Sequence, residues 1–174
     1  MGPRLRKLAL TAHVASSVGW LGAVAAFLAL AVAGLAGRDA QTARAAYLAM
    51  EPVARSVIVP LAFASLVSGL VQALGTPWGL FRHHWVLIKL LVTVLATVVL
   101  LLQLGPIGHL ADAAAGTALS GDDLREARTS LVAHSGGGLL VLLVPLALSV
   151  YKPRGTTRYG RRKRQEERRN DGSG

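Results

Sequence analysis

The chain of 174 residues contains no cysteine, few charged residues and few aromatic residues. The absence of cysteine excludes disulfides, thiolate metal sites, iron–sulfur clusters and cysteine nucleophiles. Any metal or haem chemistry therefore has to use histidine, methionine or oxygen ligands. Charged residues make up 16% of the sequence, well below the roughly 25% that is typical of soluble domains. This low share of charge argues against a water-soluble fold.

Apolar residues dominate instead, and they are gathered into long blocks. They account for 52% of the chain, and four blocks reach the roughly 20 residues that a helix needs to cross about 30 Å of hydrocarbon. The blocks are residues 8–35, 53–74, 85–104 and 131–150. Because membrane helices satisfy their own backbone hydrogen bonds, we predict an all-α integral membrane protein, folded as an antiparallel four-helix bundle over residues 1–151.

The segments between the blocks carry most of the glycine, proline and charge, and we predict loops at 37–51, 75–84 and 105–130. Pro52 suits the first turn of the second span. Gly105 and Pro106 are predicted to break or kink the third span at its outer end. The last helix is predicted to begin near Asp122, outside the bilayer.

The distribution of Lys and Arg predicts the orientation. Thirteen of these residues lie in the N-terminal segment, the second loop and the tail, whereas five lie in the first loop, the start of the second span and the third loop. Positively charged loops stay in the cytoplasm. We therefore expect a multi-pass protein of the cell membrane with cytoplasmic N- and C-termini.

A basic tail follows the last span directly. Residues 152–174 contain nine Lys or Arg, which account for much of the formal net charge of +10. A polybasic segment beside a membrane helix attracts anionic headgroups, by about 1 kcal/mol per cation near the surface, and no aromatic-interleaved nucleic-acid motif accompanies it. The predicted partners are the lipid bilayer and anionic lipids, not nucleic acid, with a homo-oligomer left open. The tail itself is predicted to be disordered.

Ionisable residues inside the spans are the candidates for function. A central Lys or Arg costs about 2.5 to 3.5 kcal/mol on insertion, so such side chains usually face the bundle interior. His13 and Lys89 fall at similar depths on the cytoplasmic side, which makes them candidate neighbours. Lys89 alternatively extends its ammonium to the headgroups, and a lone membrane histidine is often only a hydrogen-bonded packing residue.

A second group of polar residues is predicted on the outer side. Its members are Glu51, Arg55, His109, Arg128 and His134. A neutral imidazole can ligate haem iron or a transition metal, and an Arg can pair with a haem propionate. His13 and His134 are therefore the candidate haem-iron ligands, and Arg55 and His109 are further candidate cofactor-binding residues.

The order of several residues resembles a known family. The run HVASSVGWLG from His13 to Gly22, then Met50 with Glu51, then Gly69, then WVLIK from Trp85 to Lys89, resembles HemJ, the haem-associated membrane protoporphyrinogen oxidase of bacteria. Related small families include the CopD-type copper-resistance domain. The likeness covers residues 8–102, and the fourth span departs from it. It implies that His13 matches the first-span histidine associated with haem and that Lys89 matches an essential, catalytic third-span lysine.

Three functions remain open at this point. The first is binding of b-type haem by a protein of membrane redox or haem metabolism. The second is a non-enzymatic accessory or structural role, in which the polar side chains only pack helices. The third is handling of copper or another metal ion. No nucleophile triad, phosphate-binding glycine loop or paired intramembrane carboxylates support a hydrolase or a phosphotransferase.

Overall fold

The computed structural model describes residues 2–37, 39–75, 84–116 and 122–151, and every element in these ranges is helical. The elements are α1 (Pro3–Ala36), α2 (Ala40–Val53), a π-helical segment (Ala54–Ile58), α3 (Val59–Gly75), α4 (His84–Ala115) and α5 (Asp122–Tyr151). Since α2, the π-helical segment and α3 follow one another without a break, the described residues form four long helices. The prediction of an all-helical fold is confirmed for the described residues.

Each of the four long helices is long and apolar enough to cross a membrane. In the most apolar window of each helix, no more than 28% of the residues are buried inside the protein. Large side chains such as Leu91 and Leu102 are 68% and 71% exposed. An apolar surface of this extent marks contact with lipid or with another protein. Length, composition and exposure together are those of a multi-pass membrane protein.

The helices extend well beyond the predicted spans. α2 begins at Ala40, within the segment predicted as the first loop, and α4 continues through Gly105 and Pro106 to Ala115. The prediction that Pro52 lies in the first turn of its helix and the prediction of a break at Gly105 and Pro106 were therefore wrong. A kink at Gly105 and Pro106 stays a prediction. The start of the last helix at Asp122 is confirmed. Hydropathy identifies the part of a helix that faces lipid. Outside that part, a helix is still stable when one apolar face packs against the rest of the protein.

The beginning of α2 has a local cause. The carboxylate of Asp39 accepts hydrogen bonds from the backbone N–H groups of Gln41, at 3.2 Å, and Thr42, at 3.0 Å. These bonds satisfy two donors that every helix leaves unpaired at its N-terminus. One face of α2 is then buried, including Tyr47 and Met50, each 1% exposed. Capping and burial together explain a helix where composition predicts a loop.

The helices form a closed arrangement around a shared core. α1 contacts α2, α3 and α5, and α4 contacts the same three helices. The core contains Trp20, Phe27, Ile58, Leu110 and Leu131. Between the helices, the described residues enclose a cavity beside His13 and another beside His134. Residues 76–83 of the predicted second loop and the basic tail, residues 152–174, lie outside the described residues.

Candidate functional site

The first cavity, which we call the His13 cavity, lies between the beginning of α1, the end of α3, the beginning of α4 and the end of α5. Its volume is about 470 Å³, within the range of small-molecule sites. Its lining includes His13 and Lys89. His13 and Lys89, which the sequence predicts at similar depths in the membrane, thus line the same cavity.

The imidazole of His13 is oriented by α3. Its Nδ1 lies 3.1 Å from the carbonyl oxygen of Ser65 and 3.2 Å from the hydroxyl of Ser68. The carbonyl oxygen can only accept, and the Ser68 hydroxyl donates to the carbonyl oxygen of Ala64. In the neutral ring the proton is therefore on Nδ1, and Nε2 carries the lone pair. Histidine ligands of metals are commonly oriented in this way by a backbone carbonyl.

Gly69 leaves the room that the ring of His13 occupies. A Cβ atom added at Gly69 would lie 3.0 Å from Cε1 and 3.4 Å from Nδ1 of His13. Larger residues at position 69 would therefore displace the imidazole. The glycine is part of the site although it has no side chain.

Further polar contacts hold α1 and α3 together along the same face. The hydroxyls of Ser17 and Ser65 lie 2.7 Å apart, and the Gln72 amide donates to the carbonyl oxygen of Ala9 at 3.1 Å. Hydrogen bonds of this kind fix the relative position of membrane helices. They therefore also fix the position of His13 relative to Ser65.

Lys89 connects α4 to α5 on the opposite wall. Its Nζ donates to the hydroxyl of Ser149 at 2.7 Å, and that hydroxyl donates to the carbonyl oxygen of Pro145 at 2.6 Å. Arg6 also lines the cavity, and the described lining contains no Asp or Glu. Two cations without a carboxylate give the His13 cavity a positive potential that favours an anionic ligand.

The second cavity, the His134 cavity, lies between α1, the π-helical segment, α4 and α5. Its volume is about 370 Å³, and its described lining is apolar apart from Gln103, His134 and Ser135. Nδ1 of His134 lies 2.7 Å from the carbonyl oxygen of Ser130, one turn earlier in α5. Nδ1 also lies 3.1 Å from the Ser130 hydroxyl. Because the nearer carbonyl oxygen can only accept, the neutral ring has its proton on Nδ1 and its lone pair on Nε2, as in His13.

The other outer candidates do not join His134 in this cavity. Arg55 pairs with Glu51 within its own helix, with Nε 2.9 Å from Oε1. The guanidinium of Arg128 lies 5.4 Å from the centre of the Tyr47 ring. His109 is exposed on α4. Neither Arg55 nor His109 belongs to the described lining of either cavity.

The two candidate iron ligands are also separated from each other. His13 lines one cavity, whereas the other begins on α1 at Trp20 and continues to Phe27. At 1.5 Å per residue, His13 and Val24 are about 16 Å apart along α1. Over residues 2–37, 39–75, 84–116 and 122–151, no three His, Asp or Glu side chains form a group that could hold a metal ion.

Some residues of the two cavities carry no clear signal in the sequence. Ser65 and Ser149 belong to polar stripes that are typical of helix packing, and the role of Ser65 rests on its backbone carbonyl, which every residue has. Gln103 is more distinctive, because it interrupts an otherwise aliphatic run, VVLLLQL. An isolated amide in such a run indicates a buried hydrogen bond.

No family model, no curated protein and no solved structure matches this chain. The chemistry of the two cavities is therefore the basis for a functional interpretation.

Proposed function

We propose that the protein binds b-type haem in the His13 cavity and acts in membrane redox or haem metabolism. One observation carries the proposal. An imidazole whose Nε2 lone pair is left available shares a cavity with the cations Lys89 and Arg6, and no Asp or Glu belongs to its described lining. An iron ligand beside positive charge matches the two needs of a haem, which are an axial donor and partners for its propionates.

The described residues fit such a group. His13 would ligate iron through Nε2, since Nδ1 is bonded to Ser65. Lys89 and Arg6 would bind the propionates, and Leu10 and Leu90 offer apolar contact for the macrocycle. When bound, haem would supply one-electron chemistry. The resemblance to HemJ supports the same positions and gives Lys89 a catalytic role, as the cation that holds a carboxylate.

The proposal includes the membrane topology. The four helices would cross the bilayer of the cell as an antiparallel bundle, with both termini in the cytoplasm and the basic tail on anionic lipids. The Lys and Arg distribution supports this orientation, and the exposed apolar side chains support lipid contact.

An absorption spectrum tests the haem proposal. Protein purified in detergent from haem-replete cells should show a Soret band, and His13→Ala should lose it. His134→Ala is the matched control, because it removes an imidazole from the other cavity and should keep the band. A colourless wild-type protein, or a His13→Ala variant with unchanged haem content, would overturn the proposal.

Two further variants separate ligation from packing. Gly69→Ala should reduce haem content, because the added methyl group displaces the imidazole. Lys89→Met should weaken haem retention without abolishing it, because the iron ligand remains. If replacing both His13 and Lys89 with Leu raised the thermal stability and left the spectrum unchanged, the accessory role would be the better interpretation.

A further inference from the structure

The His13 cavity contains one side chain of the kinds that usually ligate haem iron. Those kinds are histidine, cysteine, methionine and tyrosine. The described lining includes His13 but no second histidine, no methionine and no tyrosine, and the chain has no cysteine. His134 lines the other cavity, and Met50 is buried in the packed core at 1% exposure. His13 is therefore the one iron ligand that the described lining offers.

The other polar side chains of this lining are unsuited to ligate iron. The ammonium of Lys89 and the guanidinium of Arg6 have no lone pair, and the indole N–H of Trp85 is a donor only. The hydroxyls of Thr93 and Ser149 each donate to a carbonyl oxygen one turn earlier in their own helix, at 2.8 Å and 2.6 Å. These groups can bind propionates or hold helices together, but they leave the iron to His13.

The hydrogen bonds of the cavity keep its two walls distinct. Nδ1 of His13 is bonded to the carbonyl oxygen of Ser65, which ties the imidazole to α3. On the other side, Nζ of Lys89 donates to the hydroxyl of Ser149 at 2.7 Å, which ties α4 to α5. A haem held by His13 therefore meets no second protein ligand among the described residues of the opposite wall.

We propose that His13 is the single protein ligand of the haem iron, and that the remaining axial position takes a small exogenous ligand such as carbon monoxide or imidazole. This inference rests on the proposed function and deepens it. The distal side of a haem decides between ligand binding and electron transfer, and an open position favours ligand binding. The His13 cavity would then be a site of chemistry at the iron.

Ligand binding and spin state test the proposal in the full-length protein, purified in detergent with its haem. The reduced protein should bind carbon monoxide in an amount equal to its haem, with a saturable shift of the Soret band. The oxidised protein should give a high-spin signal in electron paramagnetic resonance. Added imidazole should convert this signal to a low-spin one, because it fills the open position.

Variants of the chain then test whether another residue ligates the iron. His84 begins α4, beside Trp85 of the lining, and is exposed, whereas His83 lies outside the described residues. His83→Ala, His84→Ala and Lys89→Met should each keep the high-spin signal and the Kd for carbon monoxide, measured on the haem that they retain. A low-spin wild type that becomes high-spin in one of these variants would identify a second ligand and overturn the proposal.

Failure of this inference is distinguishable from failure of haem binding. A wild type that has a Soret band but low-spin iron and no carbon monoxide binding would overturn the single-ligand inference and leave haem binding intact, whereas a colourless wild type would overturn both. His13→Gly, checked for unchanged thermal unfolding, should lose haem and regain it with added imidazole. A His13→Gly variant that keeps its haem without imidazole would also overturn the inference.

Discussion

At the scale of single residues, Gly34 lets the Tyr47 side chain of α2 pack directly against the backbone of α1. A Cβ atom added at Gly34 would lie 2.5 Å from Cζ of Tyr47, whose side chain is 1% exposed. Gly34→Ala should therefore lower the free energy of unfolding by about 1–3 kcal/mol, the usual cost of overpacking. Chemical unfolding in detergent, followed by circular dichroism, measures this change.

Gly22 on the same helix is the control for this prediction. A Cβ atom added there meets nothing within 4 Å, so Gly22→Ala should be neutral or stabilise the protein by about 0.5–1 kcal/mol through helix propensity. Equal effects of the two substitutions would show that Tyr47 does not limit the space at Gly34.

Asp39 gives α2 a dependence on pH. The backbone N–H groups of Thr42 and Gln41 stabilise its charged form and lower the pKa of this exposed carboxyl below its ordinary value. A lowered pKa in the folded state means that the stabilisation is complete above the ordinary pKa, about 3.9, and is lost as the pH falls through the lower, folded value. Acid should therefore weaken the beginning of α2.

The measurement compares wild type with Asp39→Asn between pH 7 and pH 2. Asparagine caps a helix about as well as aspartate but does not titrate. Thermal unfolding of the wild type should therefore lose more stability over this range than the variant does, whereas Asp39→Ala should already be less stable at pH 7. Parallel pH profiles for wild type and Asp39→Asn would contradict the role of the charge.

At the scale of helices, the hydrogen bond between Ser17 and Ser65 joins α1 to α3 beside the His13 cavity. A double-mutant cycle of Ser17→Ala and Ser65→Ala should give a coupling energy of about 0.6 kcal/mol, the average for hydrogen bonds between membrane helices. Ser16 serves as the comparison, because its hydroxyl bonds to the carbonyl of His13 within α1. Equal coupling of Ser16 and Ser17 to Ser65 would contradict this contact.

The existence of the helices could be predicted from the sequence, but their ends could not. Apolar blocks of about 20 residues locate the four long helices, because a helix that crosses lipid needs a continuous apolar segment of that length. The segment from Ala40 to Met50 has no such block, and its helix depends on burial of Tyr47 and Met50 against other elements. The π-helical segment widens a helix without a break in hydropathy, so composition does not reveal it.

The same distinction applies to the candidate site. The sequence predicts that His13 and Lys89 lie close together, because both are expected at a similar depth below the same membrane surface. The carbonyl of Ser65 that orients His13 has no sequence signal, since every residue carries one. The separation of Arg55 from His134 also follows from packing, because Arg55 pairs with Glu51 one turn earlier in its own helix.

At the scale of the whole molecule, several of the most buried residues lie toward one end. α1 has 34 residues and is about 51 Å long, well beyond the roughly 30 Å of a hydrocarbon core. Tyr47, Met50, Leu110 and Ala114, each at most 2% exposed, all lie outside the predicted spans. The molecule therefore combines an ordinary packed core at the end proposed to be external with helices whose apolar side chains face outward elsewhere.

The absence of cysteine allows a direct test of the proposed orientation, because a single introduced cysteine is then the only thiol of this chain that a maleimide can label. Gly2→Cys and Ser173→Cys place it near the two termini, and Gly116→Cys places it just after α4. In intact cells a membrane-impermeant maleimide should label only Gly116→Cys, since positively charged segments remain in the cytoplasm. Permeabilised cells, in which all three should react, provide the control. Labelling of either terminal variant in intact cells would place that terminus outside and reverse the sides proposed for the two cavities.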